Sequence, residues 1–169
     1  MADDPNTHKQ ALFTQYYARY YSEFYRYAFY FMGAAEDAED AVSDAITLAY
    51  AKFESLRDRE KFKFWFLKIL QNVCKSRLRE RSATVVPLYN AEDEPIDIPD
   101  KSTTDPETHT VLNQMLDRLK PEDKNIILLS VQGGYSSDEI ASMLGMTAGN
   151  VRVRLHRALS ALRNGLAAI

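Results

Sequence analysis

The sequence predicts an all-α fold: two small helical domains joined by an extended acidic linker. Three observations carry that expectation. Apolar residues recur at helical steps of three and four, and the period-two alternation of strands is hard to find. Glycine and proline number only six each, while Ala, Leu, Glu, Lys and Arg are plentiful. Four of the six prolines fall within residues 83–106, among six acids and one lysine, so that stretch is expected to be extended. The division is 1–82, 83–106 and 107–169. Units this small have marginal cores, so a large partner is expected to help hold them in place.

Residues 9–32 read as one long helix. Phe13, Tyr17, Tyr20, Phe24, Tyr27 and Phe31 recur at alternating steps of four and three, a stripe that faces a core, with Tyr16, Tyr21, Tyr25 and Tyr30 off it. Gly33 is placed to end this helix. A second helix is expected over 35–56, with Glu36 and Asp37 at its positive end and Ala41, Ile46, Ala49, Tyr50 and Phe53 facing inward. The polar stretch "ESLRDREK" leads into a third helix over 62–81. Four more follow the linker, at 107–119, 121–132, 136–144 and 147–166. Pro121 suits a first helical position, and Gly133 and Gly134 stop that helix. Ser136 and Glu139 have the spacing of a capping box, and Thr147 is placed to cap the last helix after a turn at Gly145.

The polar N-terminus "MADDPNTHKQ" does not read as a secretory signal, and no apolar run approaches the roughly 18–20 residues of a membrane span. Membrane insertion is therefore not expected. With one cysteine, Cys74, and three scattered histidines, neither a disulfide nor a metal site is expected, and a reduced cytoplasm fits. No nucleophile–base pair or phosphate loop stands out, so the chain reads as a non-enzyme without a cofactor. Its net charge of −3 conceals opposed blocks. Residues 36–44 hold five acids and no base, whereas residues 57–81 hold nine Lys/Arg against three acids, a local charge that a polyanion would feel.

Inside the basic block, "KFKFWFLKILQNVCKSRLRER" (61–81) sets four aromatic rings in five positions. Alone, this suits a membrane-surface helix, a partner-binding helix or a nucleic-acid grip. The segment "SSDEIASMLGMTAGNVRVRLHRALSALR" (136–163) is more specific, with the grammar of a helix-turn-helix. Ala141 permits close approach, Gly145 supplies the turn, and Ile140, Leu144, Val151 and Leu155 fill the interface. Val151, Leu155, Ala158, Leu159 and Leu162 form a buried stripe. Asn150, Arg152, Val153, His156 and Arg157 lie largely on the other face, and Arg154 is counted with them. In such motifs the second helix enters the major groove, where paired bonds from arginine to guanine or asparagine to adenine discriminate by about 1–3 kcal/mol. A solvated basic face on a core helix is the plain alternative.

Three stretches in order resemble the bacterial RNA polymerase sigma factors. "DAEDAVSDAITLAYAKF" (37–53) is similar to their polymerase-binding helix. "FWFLKILQNVCKSRLRER" (64–81) is similar to their promoter-melting helix, and residues 119–163 resemble their region 4. Two such domains with a short linker point to the extracytoplasmic-function (ECF) group, over about residues 10–166.

That resemblance implies a region 2 helical bundle and a region 4 helix-turn-helix. It implies binding to core RNA polymerase, −35 readout by Asn150, Arg152, Val153, Arg154, His156 and Arg157, and capture of melted −10 DNA. The loop 54–63, Lys61 included, and Asn72 would form a base pocket, with Phe62 and Phe64 as stacking rings. Lys68, Lys75, Arg77 and Arg79 would meet the DNA backbone, while Trp65, Phe66, Ile69 and Val73 fit a buried stripe. Asp37, Asp40 and Asp44, spaced to share one helix face, would bind the β′ clamp coiled coil; otherwise they make a solvated acidic face. The β flap, promoter DNA and an anti-sigma factor complete the implied partners, and the linker would thread the polymerase cleft unless it is a plain spacer.

The chain departs from the family in three places: Ser43-Asp44 for Gln-Glu, Lys75-Ser76 for Asp, and "GNVRVRLHRA" for "GTVKSRL-RA". These imply altered core binding and a different promoter. The rival readings are a stand-alone helix-turn-helix regulator and a sigma mimic that titrates an anti-sigma factor.

Overall fold

The computed structural model describes residues 4–83 and 106–167, and these residues form seven α-helices and no strand. Helix α1 spans Pro5–Met32. It starts four residues before the aromatic stripe implies, because the Asp4 carboxylate accepts from the Asn6 amide at 3.2 Å and Pro5 opens the first turn. It ends at Gly33, whose φ of 82° is open to glycine and strained for other residues. Helix α2 spans Ala35–Lys52, and two 3₁₀ turns, Phe53–Ser55 and Arg59–Lys61, lead to α3, Phe62–Ala83. Then come α4 (Pro106–Asp117), α5 (Pro121–Ile127, widening into a π turn over Leu128–Gln132), α6 (Ser137–Leu144) and α7 (Ala148–Ala167). The linker expected over 83–106 lies outside the described residues, apart from helical Ala83 and Pro106 at its two ends.

Helices α1, α2 and α3 close around aromatic rings. Fully buried Ala38, Ala41, Ala45 and Ala49 give α2 a smooth face that lets its neighbours approach. The α1 stripe points inward, and Phe24 stacks on Phe66 at 4.3 Å between centroids. Tyr25, which the periodicity puts off the stripe, is buried as well. Cys74 is sealed in this core, and burial pushes its thiol up to about 12.

Helices α5, α6 and α7 form the second core, around Ile126, Leu129, Ile140 and Val151. The capping box is formed: Ser136 Oγ accepts from the Glu139 amide at 3.2 Å, and Glu139 Oε1 accepts from the Ser136 amide at 3.1 Å. Thr147 Oγ1 accepts from the Asn150 amide at 3.2 Å and so caps α7. Gly145, with φ at 65°, makes the turn that sets α7 across α6.

The two cores meet along a seam between α1 and the α4–α5 region. The Tyr27 hydroxyl donates to Asn125 Oδ1 at 2.6 Å, with both side chains buried. Lys124, only 4% exposed, sends its ammonium to the Phe31 carbonyl at 2.6 Å and to Asp117 Oδ1 at 2.7 Å. That carbonyl sits in the last turn of α1, where no helical donor reaches it, so the lysine acts as a C-terminal cap supplied by another element. Farther along, the Phe64 ring meets Tyr135 edge-on at 6.4 Å. Lys63 lies over Tyr135 and pairs with Glu23 at 2.7 Å. The seam is not perfectly matched: Gln132 Nε2 and Oε1 and the Tyr135 hydroxyl are buried and find no partner among the described residues.

Candidate functional site

Helix α3 packs against both α1 and α2, and that fixes its rotation. Phe62, Phe66, Leu67, Leu70, Val73 and Cys74 are buried, while Trp65 and Ile69 sit half-buried at the rim. The buried stripe is therefore turned from the expected one toward Phe62. Phe62 is fully buried, with Phe13, Tyr16, Phe53, Trp65 and Phe66 all within 6.1 Å between ring centroids. The expectation that it stacks on a DNA base is corrected: its ring is spent on the core.

On the opposite face, Lys61, Lys68, Asn72 and Arg79 are exposed and Lys75 is half-buried. Their steps of seven, four, three and four make one continuous row. Phe64 flanks this row, half-buried against Tyr135. The helix and the turn before it thus gather, beside one ring, five of the polar residues expected to meet −10 DNA. Arg77 is not among them. It lies on the side facing α2, where its Nε donates to Asp44 Oδ2 at 3.0 Å.

In that pair Asp44, expected to face the polymerase, meets Arg77, expected to face DNA, so each charge has a partner within the chain. Both are partly solvated, Asp44 at 54% and Arg77 at 31%, so the pair contributes only about 0.2–1 kcal/mol and can be exchanged. Asp37 and Asp40 share the Asp44 face of α2, half-buried and exposed respectively. Nearby Asp40 also helps to hold Arg77 above its ordinary range, after the larger effect of the Asp44 hydrogen bond.

In α7, Val151 and Ala158 are buried, with Leu155, Leu159 and Leu162 partly so. Asn150, Arg152, Val153, His156 and Arg157 are exposed on the outer face, which is the predicted set apart from Arg154. Arg154 turns toward α5, where its Nη1 meets Glu122 Oε2 at 2.6 Å and Asp123 Oδ1 at 3.3 Å. Arg154, expected among the −35 readers, here ties α7 to α5. Sequence spacing sees Glu122 and Asp123 as acids at a helix start and carries no sign of a partner some thirty residues away. Lys124 was likewise missed, because a lysine after two acids reads as surface.

Electrostatically, the chain presents an acidic face on α2, a cationic row with an aromatic flank on α3, and a cationic helix-turn-helix face on α7. Among the described residues no cluster could hold a metal ion, and no helix is long and apolar enough to cross a membrane.

The chain is similar to known proteins of one family. Residues 16–84 match Sigma-70 region 2, and residues 109–162 match Sigma-70, region 4. The RNA polymerase sigma factor SigV of Bacillus subtilis is 34% identical over 141 residues, 83% of this chain and 82% of that protein. The ECF RNA polymerase sigma factor SigM of Mycobacterium tuberculosis is 30% identical over 151 residues, 89% of this chain and 74% of its own length. Among solved structures, the sigma factor RpoE in complex with the anti-sigma factor NepR from Bartonella quintana aligns with a TM-score of 0.75 at 22% identity, over 92% of this chain and 96% of that one. CnrH in complex with the cytosolic domain of CnrY aligns at 0.69 and 21% identity, over 94% and 90%. At those identities the likeness is one of fold.

Proposed function

Because the chain belongs to the ECF group of bacterial RNA polymerase sigma factors, we propose that it joins core RNA polymerase in the cytoplasm and directs promoter-specific initiation. In this reading residues 107–169 read the −35 duplex through α7, residues 1–82 bind core and capture melted −10 DNA, and 83–106 link them. RNA synthesis itself stays with the core enzyme. The observation that carries the proposal is the outer face of α7: five groove-type residues stand exposed opposite a buried stripe, on a capped helix-turn-helix.

The row Lys61, Lys68, Asn72, Lys75 and Arg79 suits the phosphates and edges of an opened strand, and Phe64 suits an unstacked base, worth about 1–3 kcal/mol per stacked base. Asp37 and Asp40 suit the basic β′ clamp coiled coil, with Asp44 joining only if Arg77 releases it. Opposite charges there steer docking and set register more than they add affinity. The β flap is the expected contact of the C-terminal unit. Two solved relatives in fold are complexes, one with an anti-sigma factor, and we assign this chain a partner of that kind.

The test is co-elution of the full chain with bacterial core polymerase, wild type beside Asp40→Arg. Asp40 is the cleaner reversal, since an arginine at 44 would also confront Arg77. Wild type should co-elute and the variant should be lost from the complex. A wild type that ignores core but grips duplex DNA by itself would establish the stand-alone regulator. One that binds neither but captures an anti-sigma protein would establish the mimic.

A further inference from the structure

The outer face of α7 is not uniformly polar. Val153 lies at its centre, directly opposite the buried Val151–Leu155–Ala158 stripe, and is 48% exposed. Arg152 and His156 border it on one side, and Asn150 and Arg157 on the other, all exposed. One turn before it, Gly149 has open space where a Cβ would stand, so the helix surface there is bare backbone. A single exposed valine is ordinary on a protein surface. At the centre of a groove-facing surface it is a chemical constraint. Valine neither donates nor accepts, so any purine N7, O6 or amino edge, or a cytosine amino group, pressed against it loses its water and gains no partner. The major groove offers one apolar feature, the 5-methyl group of thymine. Gly149 lets the helix come close enough for a short side chain to reach it.

We propose that Val153 is a specificity residue that selects a T·A pair in the −35 element by seating its methyl groups on the thymine 5-methyl. The inference rests on the reading of α7 as the −35 helix. Arg152, Asn150 and Arg157 then read or anchor the flanking positions, and Val153 sets one position by excluding every base whose groove edge is polar there.

The experiment uses the full chain bound to core polymerase and a duplex library randomised across the −35 element. Each thymine of the selected sequence is then replaced singly by deoxyuridine, for wild type and for Val153→Ser. The result expected is a single position where losing the methyl weakens wild-type binding about fourfold, the factor for one methyl group withdrawn from water. Val153→Ser should show no penalty at that position while still responding to changes at the flanking bases. A selected element without thymine, no uridine penalty in wild type, or a penalty that persists in Val153→Ser overturns the inference and leaves the −35 reading intact. A library that enriches no sequence overturns both.

Discussion

Replacing Lys124 with methionine tests how firmly the two helical units are joined. Methionine keeps the stem and most of the packing, so the change isolates the ammonium. The two bonds lost differ in weight. The Phe31 carbonyl is left at a buried helix end without a donor, which costs about 1–3 kcal/mol. Asp117 is 53% exposed and regains water, so its bond counts for little. Against these losses stands the burial of the lysine's charge, an expense that the variant escapes. The net expectation is a seam weakened by about 1–2 kcal/mol, a shift of roughly 5- to 30-fold toward separated units. Energy transfer between dyes at Ser43→Cys on α2 and Ala161→Cys on α7 reads that shift. Both positions are exposed, while buried Cys74 is protected from labelling. A transfer distribution unchanged by Lys124→Met would refute the claim that this ammonium holds the seam. Lower overall stability with unchanged transfer would confine its role to the C-terminal core.

Three further outcomes follow from the geometry. Phe62→Ala should lose about 3–5 kcal/mol of stability in urea unfolding, whereas Phe64→Ala should lose far less yet weaken binding to a −10 single strand; equal losses of stability would contradict the assigned burial. Arg154→Gln should weaken −35 duplex binding several-fold with its salt dependence unchanged, while Arg157→Gln should reduce the salt slope by about one; a lower slope for Arg154→Gln would return that residue to the DNA. Burial raises Cys74 from 9.0, and Tyr135 from 10.0, each to about 12, and also raises Tyr17, Tyr25 and Tyr27. A group whose proton is held more tightly in the folded state gives stability that is full below its unfolded pKa and lost as pH rises through the folded one. The urea midpoint should therefore fall between about pH 9 and pH 12, and a flat profile there would refute these assignments.

Local signals were read well from the sequence because their causes are local. Gly33, the Ser136–Glu139 capping box and the Thr147 cap each act within four residues, and the α7 stripe needs only one helical period. Rotation was harder. Periodicity shows that α3 has a buried side, but packing against α1 and α2 decides that Phe62 lies inside it and Trp65 at its edge. Long-range pairing was beyond reach. Arg77 with Asp44, Arg154 with Glu122, and Tyr27 with Asn125 are separated by 33, 32 and 98 residues. At such distances composition shows that charges exist and says nothing of which ones meet.

The edge where Phe64 and Lys63 meet Tyr135 carries a last consequence. A surface that serves two contacts serves them one at a time. Whatever binds over Phe64 must first displace Tyr135, so its apparent affinity is its intrinsic affinity scaled by the fraction of molecules already separated. By the same linkage, any event that separates the units raises affinity at that edge by an equal factor. On the proposed role of Phe64 as a stacking ring, a free chain with a closed seam would hold single strands more weakly, and a partner that holds the units apart would lift that restraint without touching the edge itself.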